Sequence, residues 1–194
     1  RHGWLRRRDP RTARIKVRPV NIPVTSPLLA VDVGNSRVKF GLFDIDREAD
    51  GLPVLLTSLA IAPGSEPPWD QLLGWLPTED SASVVAGSNP AGRERIVSGW
   101  PTTLAAPTVI DDPQRLGLEI RLEEPGQVGI DRLLNAVSVN RLRPVDRPTI
   151  IVDSGTATTV DAVAADGAFL GGAILPGFGL LARSLHRYTA LLPM

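Results

Sequence analysis

Two stretches of the chain are weak copies of each other, and each ends an apolar run on the same acidic turn. Leu29-Ala30-Val31-Asp32-Val33-Gly34-Asn35-Ser36 and Ile150-Ile151-Val152-Asp153-Ser154-Gly155-Thr156-Ala157 align without a gap at an offset of 121 residues. Each reads as a strand entering an Asp-x-Gly turn, and a second strand follows, Arg37 to Phe43 and Thr158 to Val163. The pattern predicts two β-hairpins with a carboxylate at each mouth. A single Asp-x-Gly turn has a purely structural explanation, because Asp and Gly suit turns through side-chain hydrogen bonds and permissive dihedrals. The duplication argues for more. Two superimposable halves facing each other bring Asp32 and Asp153 to opposite walls of one cleft, where they repel unless a cation lies between them. Asn35, Ser36, Thr156 and Thr158 then place amides, hydroxyls and backbone N–H groups where phosphate oxygens can sit.

Composition narrows the chemistry open to such a cleft. The 194 residues are 43% hydrophobic, enough for a sizeable core in one large or two small domains. There is no cysteine, and His2 and His186 are the only histidines. Disulfides, thiolate nucleophiles and zinc–thiolate sites are therefore excluded, and catalysis has to rest on carboxylates and backbone. The longest apolar stretch, Ala168 to Ala182, is too short for a membrane span and is broken by Gly171, Gly172, Pro176, Gly177 and Gly179. A cytoplasmic location is the expectation. Net charge is zero, yet residues 1–18 hold eight of the 21 Lys and Arg. The remaining body is acidic, which argues against nucleic acid as the main partner. Residues 1–26 read as a basic, disordered extension without the apolar core of a signal peptide.

The order of elements is that of an α/β chain built from two related halves. Pro53 to Ile61 reads as a strand, Trp69 to Leu76 as a short helix and Ser83 to Ala86 as a buried strand. The turn Gly87-Ser88-Asn89-Pro90 opens a polar helix to about Gly99, with Val109-Ile110 and Leu118 to Leu122 as short strand candidates. Leu133, Leu134, Val137 and Leu142 then fall on one helical face, and Pro144 ends that helix. After the second hairpin, Asp166-Gly167 turns the chain into a strand to Leu175, and Gly177 to Leu192 is again helical.

No Gly-x-x-x-x-Gly-Lys-Ser/Thr occurs, which excludes a Walker-type loop. Gly177-Phe178-Gly179-Leu180-Leu181-Ala182 fits Gly-x-Gly-x-x-Ala between a strand and a helix, the context of a dinucleotide fingerprint. Pro176 offers a simpler reason for a turn there. Gly129-Ile130-Asp131-Arg132 directly precedes the amphipathic helix. One reading makes Asp131 an N-cap that satisfies free N–H groups of the first turn. The functional reading makes Asp131 the acceptor of a proton from an attacking hydroxyl, with Arg132 as a fork for a substrate carboxylate or amide.

Taken together, Asp32-Val33-Gly34-Asn35-Ser36, Gly129-Ile130-Asp131-Arg132, Asp153-Ser154-Gly155-Thr156-Ala157-Thr158-Thr159 and Gly171-Gly172-Ala173-Ile174-Leu175-Pro176-Gly177 resemble, in order and spacing, the type III pantothenate kinases. The resemblance covers Leu28 to Pro193. It implies the actin-like, sugar kinase and Hsp70 fold: two ribonuclease-H-like α/β halves with a nucleotide cleft between them, over 27–146 and 147–194, the second half incomplete. It implies a homodimer that uses ATP to phosphorylate pantothenate to 4'-phosphopantothenate, the first step of coenzyme A biosynthesis. A non-catalytic regulatory protein on the same fold and a small sugar-kinase-like phosphotransferase are the alternatives.

Residue by residue, the resemblance makes Asp32, Val33, Gly34, Asn35, Ser36, Arg37, Val38 and Lys39 the first ATP-binding hairpin, joined by Gly155 and Thr156 from the second. Asp32 would act indirectly on the Mg2+ that accompanies ATP, and Asp153 would hold a monovalent cation, K+ or NH4+. Gly129, Ile130, Asp131 and Arg132 would contact pantothenate, with Asp131 as catalytic proton acceptor. Gly171, Gly172, Pro176 and Gly177 would shape the cleft backbone. Family members continue past the position of Met194, so Leu180, Leu181, Leu185, Leu191 and Leu192 are expected to lack cover. The family favours an aromatic residue at Leu122 and a bulkier one at Ser154, two departures that bear on the substrate pocket.

Overall fold

A computed structural model describes residues 26–49, 52–144 and 146–193, with side chains of 47–49 excluded. The basic extension read over 1–26 lies, apart from Ser26, outside the described residues. The first hairpin pairs β1 (Leu28–Val33) with β2 (Val38–Ala49) in antiparallel register, Asp32 opposite Lys39. β3 (Leu52–Ile61) extends it as an antiparallel meander on β2. On the other side of β1, β4 (Ser83–Ala86) and β5 (Thr108–Val109) add in parallel. The order β3-β2-β1-β4-β5 is that of a ribonuclease-H-like half. Its parallel strands need crossovers, which α1 (Trp69–Leu73) and α2 (Pro90–Ser98) supply.

Strand alternation determines which face is buried. Leu29, Val31 and Val33 from β1, Val38, Phe40 and Leu42 from β2, and Val85 from β4 are buried together with Leu72 of α1 and Ile96 of α2. Trp69 closes this core edge-on between Phe40 and Trp100, with ring centroids 6.4 and 5.2 Å apart. Because the period is two, Asp32 and Lys39 emerge on the opposite face.

The second hairpin joins β6 (Thr149–Ser154) to β7 (Ala157–Val163), and β8 (Phe169–Pro176) completes a three-stranded antiparallel sheet. Across it lies α3 (Ile130–Leu142), followed in the chain by β6, while α4 (Phe178–Tyr188) continues from β8. Leu133 and Ala136 of α3 are fully buried against Leu118, Val163 and Phe169, so a second core forms around the second sheet. α3, expected within the first half over 27–146, packs its buried stripe with the second sheet. That stripe is also rotated from expectation: Ile130, Leu133 and Ala136 are buried, while Leu142 is 48% exposed. Leu118 to Leu122 is not a strand but a single parallel bridge, in which Arg121 N donates to Phe169 O and Phe169 N to Glu119 O. Leu180, Leu181, Leu185, Leu191 and Leu192 are all exposed, as expected. Among the described residues no helix is long and apolar enough to cross a membrane.

Two measurements test this packing. Leu133→Ala removes a fully buried side chain from the second core and should lower unfolding free energy in urea by about 2–5 kcal/mol. Arg121 hydrogen-bonds the exposed Asp166 and holds its carboxyl below the usual 3.8. A depressed folded value means that the contribution is present above 3.8 and fades as pH falls through the lowered folded value. Asp166→Asn should therefore melt below the wild-type chain at neutral pH, with the gap closing in acid.

Candidate active site

Both acidic hairpins open towards α3, and the three elements enclose one cavity of about 510 Å³. Asp32, Lys39, Ala86 and Gly87 line it from the first sheet, Asp153 and Ile151 from β6, and Asp131, Asn135 and Ser138 from α3. The duplicated carboxylates thus share a cleft with the Gly-x-Asp-Arg carboxylate. Asp32 lies 99 residues before Asp131 and 121 before Asp153, so only the fold brings it to them.

Asp32 stands near the end of β1, half exposed, and accepts a hydrogen bond from Lys39 Nζ at 3.0 Å. An exposed cross-strand pair of this kind contributes little to stability, which leaves the lysine available to a phosphate. Beside it, β4 runs into Gly87 at φ +138°, where an added Cβ would lie 2.2 Å from the Val33 carbonyl oxygen. Glycine is required there because the backbone passes directly over the end of β1. Two residues on, Asn89 caps α2 by accepting from Gly92 N at 2.9 Å, and its own N–H donates to Val33 O.

The remaining residues of the first hairpin are outside the cavity lining. Gly34 N donates to Arg37 O at 3.0 Å to close the turn, while Asn35, Ser36 and Arg37 are exposed at its tip. Val33 and Val38 turn their side chains into the first core, so only their backbone can face a ligand. On the second hairpin, Gly155 N donates to Ala157 O at 2.8 Å, and Ser154 and Thr158 share a hydroxyl contact of 3.1 Å. The two tips meet: Ser36 Oγ and Thr156 Oγ1 are hydrogen-bonded across the mouth. Gly177 packs from behind, its N–H donating to Thr156 O at 3.0 Å, and a Cβ there would lie 2.1 Å from Gly155 O.

Gly129 takes the N-cap position of α3, so Asp131 is not the N-cap but the second helical residue. Its carboxylate accepts from the N–H of Arg132 at 2.9 Å and stands at the positive end of the helix. Four residues later, Asn135 donates to Asp153 Oδ2 at 3.0 Å. Asn135 was not singled out by the sequence. The signal was its i+4 spacing from Asp131, which puts both on one face of the helix. Ile130 is buried, and Arg132 turns away from the cavity to the buried Asp161 on β7.

The cavity therefore holds three carboxylates and one lysine. Such a set favours a cation and the phosphates that travel with it. Among the described residues no three His, Asp or Glu side chains are grouped closely enough to hold a metal unaided. A divalent ion here would complete its shell with phosphate oxygens and water. The Gly177–Ala182 fingerprint has a different outcome. β8 runs antiparallel to β7 in a three-stranded sheet whose pairings are both antiparallel, so the described residues lend the dinucleotide reading no support.

Residues 28–194 match the sequence model of type III pantothenate kinases. The chain belongs to the type III pantothenate kinase family. It is 38% identical to the type III pantothenate kinase of Paramagnetospirillum magneticum over 185 residues, covering 86% of this chain and 65% of that protein. It is 36% identical over 186 residues to that of Rhodospirillum centenum, with the same coverage. The chain thus spans 65% of the length of these two curated pantothenate kinases. Among solved structures, a putative 2-dehydro-3-deoxygalactonokinase from Sinorhizobium meliloti is similar at 16% identity and a TM-score of 0.49, over 84% of this chain and 58% of that one.

The close approach of Gly87 to β1 yields a prediction for this site. Gly87→Ala has to move either β1 or β4, and should lower stability by about 1–3 kcal/mol in chemical denaturation, a positive φ adding to the clash. A wild-type denaturation curve would contradict the geometry.

Proposed function

We propose that the protein phosphorylates pantothenate to 4'-phosphopantothenate with ATP, the first step of coenzyme A biosynthesis. The observation that carries this reading is the convergence of Asp32, Asp131 and Asp153 on one cavity, on the elements that the family's motifs occupy. Phosphoryl transfer needs little covalent chemistry from a protein and much positioning and charge neutralisation. A cleft of carboxylates, one lysine and two open hairpin turns suits that demand.

In this reading the first hairpin, Asp32 to Lys39, and the second, at Gly155 and Thr156, take the ATP phosphates between them. Lys39 Nζ and the turn N–H groups would face phosphate oxygens, and the Ser36–Thr156 contact would give way to them. Mg2+ carried with ATP would be oriented through Asp32 and would neutralise charge on the transferred group. Asp153, steadied by Asn135, would hold a monovalent cation, K+ or NH4+, on the opposite wall. Gly129, Ile130 and Arg132 flank Asp131 at the pantothenate end. The pantothenate hydroxyl oxygen bonds to the γ-phosphorus as the bond to ADP breaks, and Asp131 accepts the hydroxyl proton. Pantothenate and ATP are thus the proposed small-molecule partners, the active form a homodimer, and the setting the cytoplasm.

The test is ADP release that depends on pantothenate, measured with Asp131→Asn beside the wild-type chain. The substitution keeps the shape and removes the proton acceptor, and kcat should fall by about a hundredfold to ten-thousandfold with ATP affinity retained. A variant with full turnover would remove Asp131 from the mechanism.

A further inference from the structure

The second sheet carries a buried carboxylate that the proposed chemistry does not use. Asp161 lies in the middle of β7, between Ile151 of β6 and Gly172 of β8, and is 1% exposed. A lone buried carboxylate is costly, so its partner matters. That partner is Arg132: Nε lies 3.1 Å from each carboxylate oxygen and Nη2 also donates to Oδ1. The guanidinium lies over the Phe169 ring, 5.7 Å from its centroid. Room for this pair comes from Gly172, where an added Cβ would stand 2.5 Å from Asp161 Oδ1 and 2.0 Å from Val160 O.

We propose that Asp161 is a positioning residue, which grips Arg132 from the second sheet and so fixes the rotation of α3 that aims Asp131 into the cleft. The inference rests on the kinase reading for its catalytic consequence. Successive helical residues are about 100° apart, so locking the direction of Arg132 sets that of Asp131, its neighbour. A two-nitrogen grip defines an angle as well as a distance, which a point charge does not. One turn on, Asn135 bonds to Asp153 on β6, and the two contacts together pin the start of α3 to both β6 and β7. Asp131 and Asp153 are thereby held as one rigid pair, facing Asp32 across the cavity.

The test uses Asp161→Asn, which keeps shape and loses charge, and Arg132→Lys, which keeps charge and loses the fork. Well below their melting temperatures, both variants should lose at least tenfold in kcat for pantothenate-dependent ADP formation, with KM for pantothenate and for ATP each within threefold of wild type. A raised KM for pantothenate with kcat held in Arg132→Lys would make Arg132 a substrate ligand and overturn the positioning role. Lower melting temperatures with kcat and KM both unchanged would reduce the pair to a structural one and equally overturn it. Absence of turnover by the wild-type chain would instead count against the kinase reading. The inference is then decided by the 13C carboxyl chemical shift of Asp131 at one fixed neutral pH, which should differ from wild type in both variants and whose invariance would overturn it.

Discussion

Like charges brought together in a cleft have to be held there by something else, and in this chain that work falls to α3. Asp32, Asp131 and Asp153 share one cavity with a single lysine, an arrangement that gains nothing in stability by itself. Burial of Leu133 and Ala136 against Val163 and Phe169 seats the helix. Two polar contacts at its start, Arg132 to Asp161 and Asn135 to Asp153, orient it. Folding energy from the second core thus supports an electrostatically unfavourable site, as expected where a cleft is built to receive a cation and phosphates rather than to be filled by the protein itself.

The two hairpins show how a duplication yields a site with two unequal walls. On the first, Asp32 is paired with Lys39 and backed by a five-stranded sheet with its own apolar core. On the second, Asp153 has an amide partner and a three-stranded sheet whose outer residues Ile150 and Val152 are over 60% exposed. The positive member lies beside Asp32, so phosphate charge is best met at that wall, and a small cation at the other. The inequality follows from one residue, since Lys39 stands opposite Asp32 in the register, while Thr159 holds the corresponding place opposite Asp153.

Much of this was legible in the sequence because it is local. Period-two alternation around Asp32 and Asp153 and the Asp-x-Gly turns gave both hairpins with their carboxylates, and Gly129 to Arg132 marked a helix start. What was not legible is set by long-range packing. The buried face over 130–142 differs from the periodic expectation because Ala136 packs beside Leu133 against Phe169 and Val163, residues more than twenty positions away. Asp161 sits in an ordinary strand pattern and gains meaning only when Arg132 reaches it across 29 residues. Leu118 to Leu122 has strand composition yet makes one bridge, to Phe169 at the start of the edge strand β8. Chemistry carried on turns is visible to a reader of sequence; chemistry carried by contacts between halves is not.

Everything proposed for this cavity depends on one event, transfer of a phosphoryl group from ATP to the hydroxyl of pantothenate. The most direct measurement is 31P NMR of the chain incubated with ATP, Mg2+, K+ and pantothenate. Transfer to pantothenate requires loss of the γ-phosphate signal matched by a new phosphomonoester, with ADP in equal amount. Inorganic phosphate as the only new signal, or an unchanged ATP spectrum, would contradict it.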